Sequence, residues 1–182
     1  MLVAFPTELP KQDEEFRGIV IATGYTLELP GNTHAEQCCL SKLATKFSLS
    51  DENVGALLWQ IASGDEIAVE EEADRKQIER RTEQPKTHIV LYTTMEPCVE
   101  RLSGNLPCVD RVLQAAKPAV LSSSYERGIH TVVVGVQEPE TFVKQNSGRK
   151  RLEDAGIEVI KVDGMEEDIL KVAKAGHVNE EQ

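Results

Sequence analysis

The chain has 182 residues, 40% of them hydrophobic, and a formal net charge of −11, which is enough for one domain with a sizeable core. No apolar run approaches the ~20 residues that cross a bilayer, and Met1 to Pro6 is too short for a secretory signal, so a cytoplasmic protein without a membrane partner is expected. So acidic a surface repels nucleic-acid phosphates; this counts against tRNA or DNA as substrate and leaves room for a small phosphorylated ligand in a local basic pocket.

Leu2 to Phe5 reads as a short first strand and Pro6 to Glu15 as a polar turn. The apolar run between Gly18 and Gly24 predicts a buried strand. Leu29-Pro30-Gly31-Asn32 is turn chemistry. Thr33 is a plausible N-cap for a helix from His34 to about Lys46, with Gln37 near the capping-box position. Residues 50–86 look like an insertion, with Val54 to Ile61 able to form a short helix. Within it, residues 65–72 hold five acidic side chains among eight, so much of the segment is expected to be a solvated loop or mobile helix, with a cover over the active site as the alternative.

Thr87 to Thr93 is a strand that delivers Met95-Glu96-Pro97-Cys98 at its end. Pro107 then opens a helix from Cys108 to about Lys117. Ile129 to Val136 is the strongest strand pattern in the chain. Phe142 to Ala155 reads as mostly helical with an interruption at Asn146-Ser147-Gly148, followed by a strand over Ile157 to Val162. Glu166 to Ala175 starts acidic and ends rich in lysine, the sense that the helix dipole favours. The tail, residues 178–182, is expected to be loose. Strands alternating with helices indicate a layered α/β sheet in one domain over residues 1–182.

The chemistry concentrates in His34-Ala35-Glu36, Pro97-Cys98 and Cys108. Three nitrogen and sulfur ligands with an open fourth position make a catalytic zinc arrangement, whereas structural sites close with four. One zinc ion on His34, Cys98 and Cys108 would bring the pKa of its water towards neutrality. Glu36, two residues after His34 on the same helical turn, would lie beside the metal as a proton shuttle. The order H-x-E followed by P-C and a further Cys is the signature of zinc nucleobase deaminases, which normally place two residues between the cysteines. Here nine separate Cys98 from Cys108. The rival is a structural zinc module with Cys38 as fourth ligand, since Cys38 lies four residues after His34 on one helix face; it leaves Glu36 unexplained. Cys38 and Cys39 read better as small buried residues, and His88 as a structural histidine. His130 and His177 carry no signal.

Three blocks carry a resemblance. They are Gly24-Tyr25 with Leu29 to Cys38, Tyr92 to Cys98 with Arg101 to Arg111, and Gly135 to Val143. Together they resemble the fungal-type riboflavin-biosynthesis deaminases (DRAP deaminases) of the cytidine-deaminase-like superfamily. The resemblance runs from Gly18 to His177 apart from the acidic segment, and the long cysteine spacer is similar to that of bacterial riboflavin deaminase/reductases. It implies a three-layer α/β/α fold around a mixed sheet of about five strands. The strand at Leu2 leaves no room for the helix that opens that fold, which is therefore expected to be absent. It also implies a substrate, 2,5-diamino-6-ribitylamino-4(3H)-pyrimidinone 5′-phosphate. Zinc-bound hydroxide would add to C2 of the ring, Glu36 would move a proton from water to the leaving amine, and 5-amino-6-ribitylaminouracil 5′-phosphate would remain. The Ala35 amide and Glu36 would hold the ring edge, and Asn32 and Thr33 flank the pocket. The spacer would rim it with Arg101, Ser103 and Asn105, Arg101 being a candidate for the phosphate because a guanidinium matches phosphate geometry. Lys144, Arg149, Lys150 and Arg151 are alternatives that otherwise form a solvated helix face. A homodimer is expected from the family alone. Enzyme alternatives are deamination of dCMP, of guanine or of the ribosyl form of the substrate; a tRNA-editing subunit is opposed by the acidic balance.

Overall fold

The structure, a computed structural model, describes residues 1–5, 18–63, 87–117, 128–137 and 147–175. Its frame is a five-stranded sheet in the order β2-β1-β3-β4-β5, made of β1 (Leu2–Phe5), β2 (Ile19–Ala22), β3 (His88–Met95), β4 (Thr131–Val136) and β5 (Glu158–Lys161). β1 runs antiparallel to both its neighbours, while β3, β4 and β5 are parallel. The helices are α1 (Ala35–Lys46), α2 (Val54–Ser63), α3 (Cys108–Ala116), α4 (Gly148–Asp154) and α5 (Glu166–Ala175), with a single 3-10 turn at Asp51–Asn53 ahead of α2.

The strands are apolar almost without interruption because both faces of the sheet are covered. On one face Leu2, Ile89, Leu91, Val132, Val134 and Val159 join Cys39, Leu43, Leu58, Val112 and Leu152 from helices α1 to α4 in one core cluster. On the other, Val3, Phe5, Val90 and Val133 pack with Tyr92 and Ile160. There α5 crosses Gly135, where a Cβ would stand 2.5 Å from the Ile169 side chain. Helices on both faces of a mixed sheet make the three-layer, cytidine-deaminase-like architecture.

Three sequence expectations change. The run between Gly18 and Gly24 is not buried: β2 is an edge strand with one partner, and Ile19 and Val20 are 38% and 45% exposed. Thr33 does not cap α1. The N-cap is His34, without a side-chain bond, because the Thr33 hydroxyl donates back to the Leu29 carbonyl at 2.6 Å. The segment taken as an insertion begins as core. Val54, Leu57, Leu58, Ile61 and Ala62 of α2 are buried against the helix layer, and burial of each of the four larger side chains is worth roughly 1.5–3 kcal/mol. Its acidic part, with the rest of 64–86, lies outside the described residues, as do Lys144, His177 and the 178–182 tail. Of the helix expected over Phe142 to Ala155, residues 142–146 lie outside the described residues, and the described part is helical over Gly148–Asp154.

Candidate functional site

Three chain segments meet at the carboxyl end of β3. The first is the turn before α1. Tyr25 N donates to Glu28 Oε2 at 3.2 Å, Glu28 pairs with Lys42 of α1, and Leu27 N reaches Thr33 O at 2.8 Å. These bonds seat the turn on the helix it introduces. Gly31 (φ 92°) and Asn32 (φ 52°) take left-handed conformations there, which Gly and Asn tolerate better than other residues. The chain then enters α1, with His34 at its threshold and Glu36 in its first turn.

The second segment is the Glu96-Pro97-Cys98 strap that leaves β3, its Glu96 amide held by the Val136 carbonyl at 2.9 Å. The third is the start of α3. Val109 N donates to Cys98 O at 3.1 Å and Cys108 N points at Cys98 Sγ at 3.4 Å, so the strap and the helix N-terminus are bonded to each other. Two helix N-termini thus converge on groups that carry or can take negative charge, as the helix dipole favours.

His34 Nδ1 stands 3.5 Å from Cys98 Sγ and 3.5 Å from Cys108 Sγ. Donor atoms of His34, Cys98 and Cys108 all lie within 4.8 Å of one another, and they form the compact donor group able to hold a metal ion among the described residues. Both cysteines are buried and His34 is partly accessible. The Cys108 thiol hydrogen-bonds Cys98 and, with His34 in support, holds the Cys98 thiol well below the usual thiol range. The same bond, burial and the nearby Glu36 carboxylate push Cys108 up.

Glu36 is buried, 7% exposed, and lies just outside the donor group. Its Oε2 is 3.4 Å from Cys108 Sγ and its Oε1 3.3 Å from the Thr93 hydroxyl, which also lies 2.8 Å from Met95 O. Thr93 lies near the end of a strand, in the Tyr92 to Cys98 block that carries the resemblance, but was not singled out as a site residue. Cys38 is not in the donor group; its thiol turns away to the Thr33 hydroxyl at 3.2 Å. His88 is bonded to Thr131 Oγ1 at 2.8 Å and lies beside the His130 ring, with centroids 4.7 Å apart.

The spacer does fold over the turn before His34. Arg101 Nη1 donates to Gln37 Oε1 at 2.9 Å and its Nη2 to the Asn32 carbonyl. Asn105 Nδ2 reaches the carbonyls of Gly31 at 3.2 Å and Asn32 at 3.4 Å. Ser103 is exposed at the tip of the spacer. The alternative cations have other partners: Arg149 pairs with Glu153, Lys150 with Asp154 and Arg151 with Asp110.

No family model matches the sequence. It is 31% identical over 160 residues to the diaminohydroxyphosphoribosylamino-pyrimidine deaminase of Schizosaccharomyces pombe, an alignment that takes in 88% of this chain. The chain spans 28% of the length of that relative. The fold is similar to crystal structures of the Aspergillus oryzae Rib2 deaminase. The complex with DARIPP is 37% identical, with a TM-score of 0.67, and 98% of this chain matches 78% of that one. The form at pH 4.6 is 38% identical, with a TM-score of 0.69 and the same coverage.

Proposed function

Because this chain belongs to the family of fungal-type DRAP deaminases, we propose that it hydrolytically deaminates 2,5-diamino-6-ribitylamino-4(3H)-pyrimidinone 5′-phosphate in riboflavin biosynthesis. The observation that carries this reading is the convergence of His34, Cys98 and Cys108 on one point with the buried Glu36 carboxylate beside them. The proposed metal is zinc, and the donor set fits it. With Zn–N about 2.0–2.1 Å and Zn–S about 2.3 Å, a tetrahedral site needs nitrogen–sulfur edges of roughly 3.6 Å. The two edges here are 3.5 Å. Three protein ligands leave the open position of a catalytic site.

When bound, zinc supplies a Lewis acid that makes water nucleophilic near neutral pH. Glu36 has the protein's share of the proton work: it takes a proton from the attacking water and returns it to the departing 2-amino group, so that water and substrate leave as ammonia and the uracil product. Burial keeps its carboxylate from wandering, and Thr93 fixes one oxygen. The amide of Ala35, at the first helical position of α1, is among the donors that a helix leaves unused, and it would bind the ring edge. Asn32, Thr33, Ser103 and the clasped Arg101 and Asn105 form the proposed rim. Homodimer assembly, a single domain and a cytoplasmic location belong to the same reading.

The test is ammonia release from the ribityl phosphate, its ribosyl form, dCMP and guanine, with metal content measured on the same sample. Turnover of the ribityl compound by stoichiometrically zinc-loaded protein is the expected result. Fast release from dCMP or guanine with none from the ribityl or ribosyl compound would overturn the substrate assignment.

A further inference from the structure

We propose that Arg101 is a positioning residue, a latch that holds the metal-binding turn and the cysteine spacer together, rather than the anchor of the substrate phosphate. The inference rests on the reading above for its catalytic half and on geometry alone for its metal half.

The latch crosses the ligand set. Arg101 lies three residues after Cys98, Asn105 three before Cys108, and Asn32 two before His34. Arg101 Nη2 and Asn105 Nδ2 both donate to the one Asn32 carbonyl, and Asn105 also reaches the Gly31 carbonyl. Those two carbonyls face the spacer because Gly31 and Asn32 adopt positive φ, a conformation that costs free energy unless its surroundings hold it. The second prong, Nη1 on Gln37 Oε1 at 2.9 Å, reaches across the threshold of α1. Arg101 therefore grips the chain on both sides of His34, at Asn32 and at Gln37. A planar fork can serve two acceptors at fixed separation, which an ammonium cannot. With Nη1 and Nη2 each donating to a protein acceptor, the end-on edge of the guanidinium that spans both terminal nitrogens is already engaged.

Phosphate anchoring and latching make opposite demands on substitutions. An anchor acts on the phosphorylated substrate alone, so Arg101→Met should lose the preference for that substrate and Arg101→Lys, which keeps the charge, should retain part of it. A latch needs the fork, so both substitutions should fail alike. The experiment uses the zinc-loaded full chain. One arm follows the rate of zinc transfer to a chromogenic chelator. The other compares kcat/KM on the ribityl phosphate and on its dephosphorylated counterpart. Loss of a charged hydrogen bond across the site predicts zinc release about tenfold faster in Arg101→Met and Arg101→Lys. It also predicts a fall in kcat of similar size on both substrates, with their ratio unchanged. Asn105→Ala should move in the same direction by less, and it carries the zinc-release arm should Arg101→Met not fold. Unchanged zinc release together with a collapsed phosphate preference, or a fully active Arg101→Lys, would overturn the latch. If the parent protein turns over neither compound, the proposed function fails while zinc release still decides the latch.

Discussion

Replacing Glu36 by Gln separates a catalytic carboxylate from a structural one by orders of magnitude. The side chain is buried between the Thr93 hydroxyl at 3.3 Å and the Cys108 sulfur at 3.4 Å. Gln has the same shape. Its amide oxygen still accepts from Thr93 and its NH2 faces the sulfur, so fold and metal content should survive. What disappears is a site that can take up and give back a proton. Acid–base catalysis by one positioned group contributes about 10²–10⁴-fold, and here one carboxylate serves both the attack and the departure. The upper end, about 10⁴-fold in kcat or ~5.4 kcal/mol, is the expected loss. A carboxylate that only orders its neighbours would cost about one net hydrogen bond, 0.5–1.5 kcal/mol, which is roughly a tenfold effect. The assay is steady-state ammonia release at saturating substrate, with zinc content and thermal midpoint measured on the same preparation. A Glu36→Gln protein that keeps its zinc and loses less than about tenfold in kcat would refute the assignment of the proton shuttle.

The rival ligand set is tested by Cys38→Ala. The thiol faces Thr33, so stoichiometric zinc and activity should be retained, with a stability cost of about 1 kcal/mol for the lost apolar volume. Cys98→Ala and Cys108→Ala should lose the metal, and metal loss in a folded Cys38→Ala protein would restore the structural-module reading. Chelation of the parent protein should abolish turnover, and zinc should restore it where magnesium does not, because a nitrogen and sulfur donor set selects against hard cations. In α2, Gly55→Ala should destabilise despite alanine's helix propensity. The added Cβ would stand 2.7 Å from Gln114 O and 2.8 Å from Lys117 O. A propensity gain of about 1 kcal/mol is set against an overpacking cost of about 1–3 kcal/mol; a raised urea midpoint would show that the close helix contact relaxes freely.

What the sequence made legible was local. His34, Glu36, Cys98 and Cys108 could be read because each sits at a junction with its own signature, a turn before a helix or a Pro-Cys after a strand. β3 and β4 could be read because strands covered on both faces are continuously apolar. Two of the misreadings were tertiary and one was a local competition. The run beginning at Ile19 has the composition of a buried strand, but its place at the sheet edge depends on which strand claims the other side of β1. Val54 to Ala62 is an apolar stretch beside an acidic one, and its membership of the core is decided by α1 and α3, to which nothing in the segment itself points. Thr33 has a capping residue's chemistry, yet the Leu29 carbonyl competes for its hydroxyl and wins. The same limit applies to the spacer. Arg101 in a pocket rim reads as a phosphate ligand, because a side chain advertises its charge while the carbonyl that engages it, 69 residues away in sequence, advertises nothing. Backbone acceptors leave no trace in residue type except through the conformations that expose them. Here Gly31-Asn32 was that trace: read only as a turn, it also presents the carbonyls to which Arg101 and Asn105 donate.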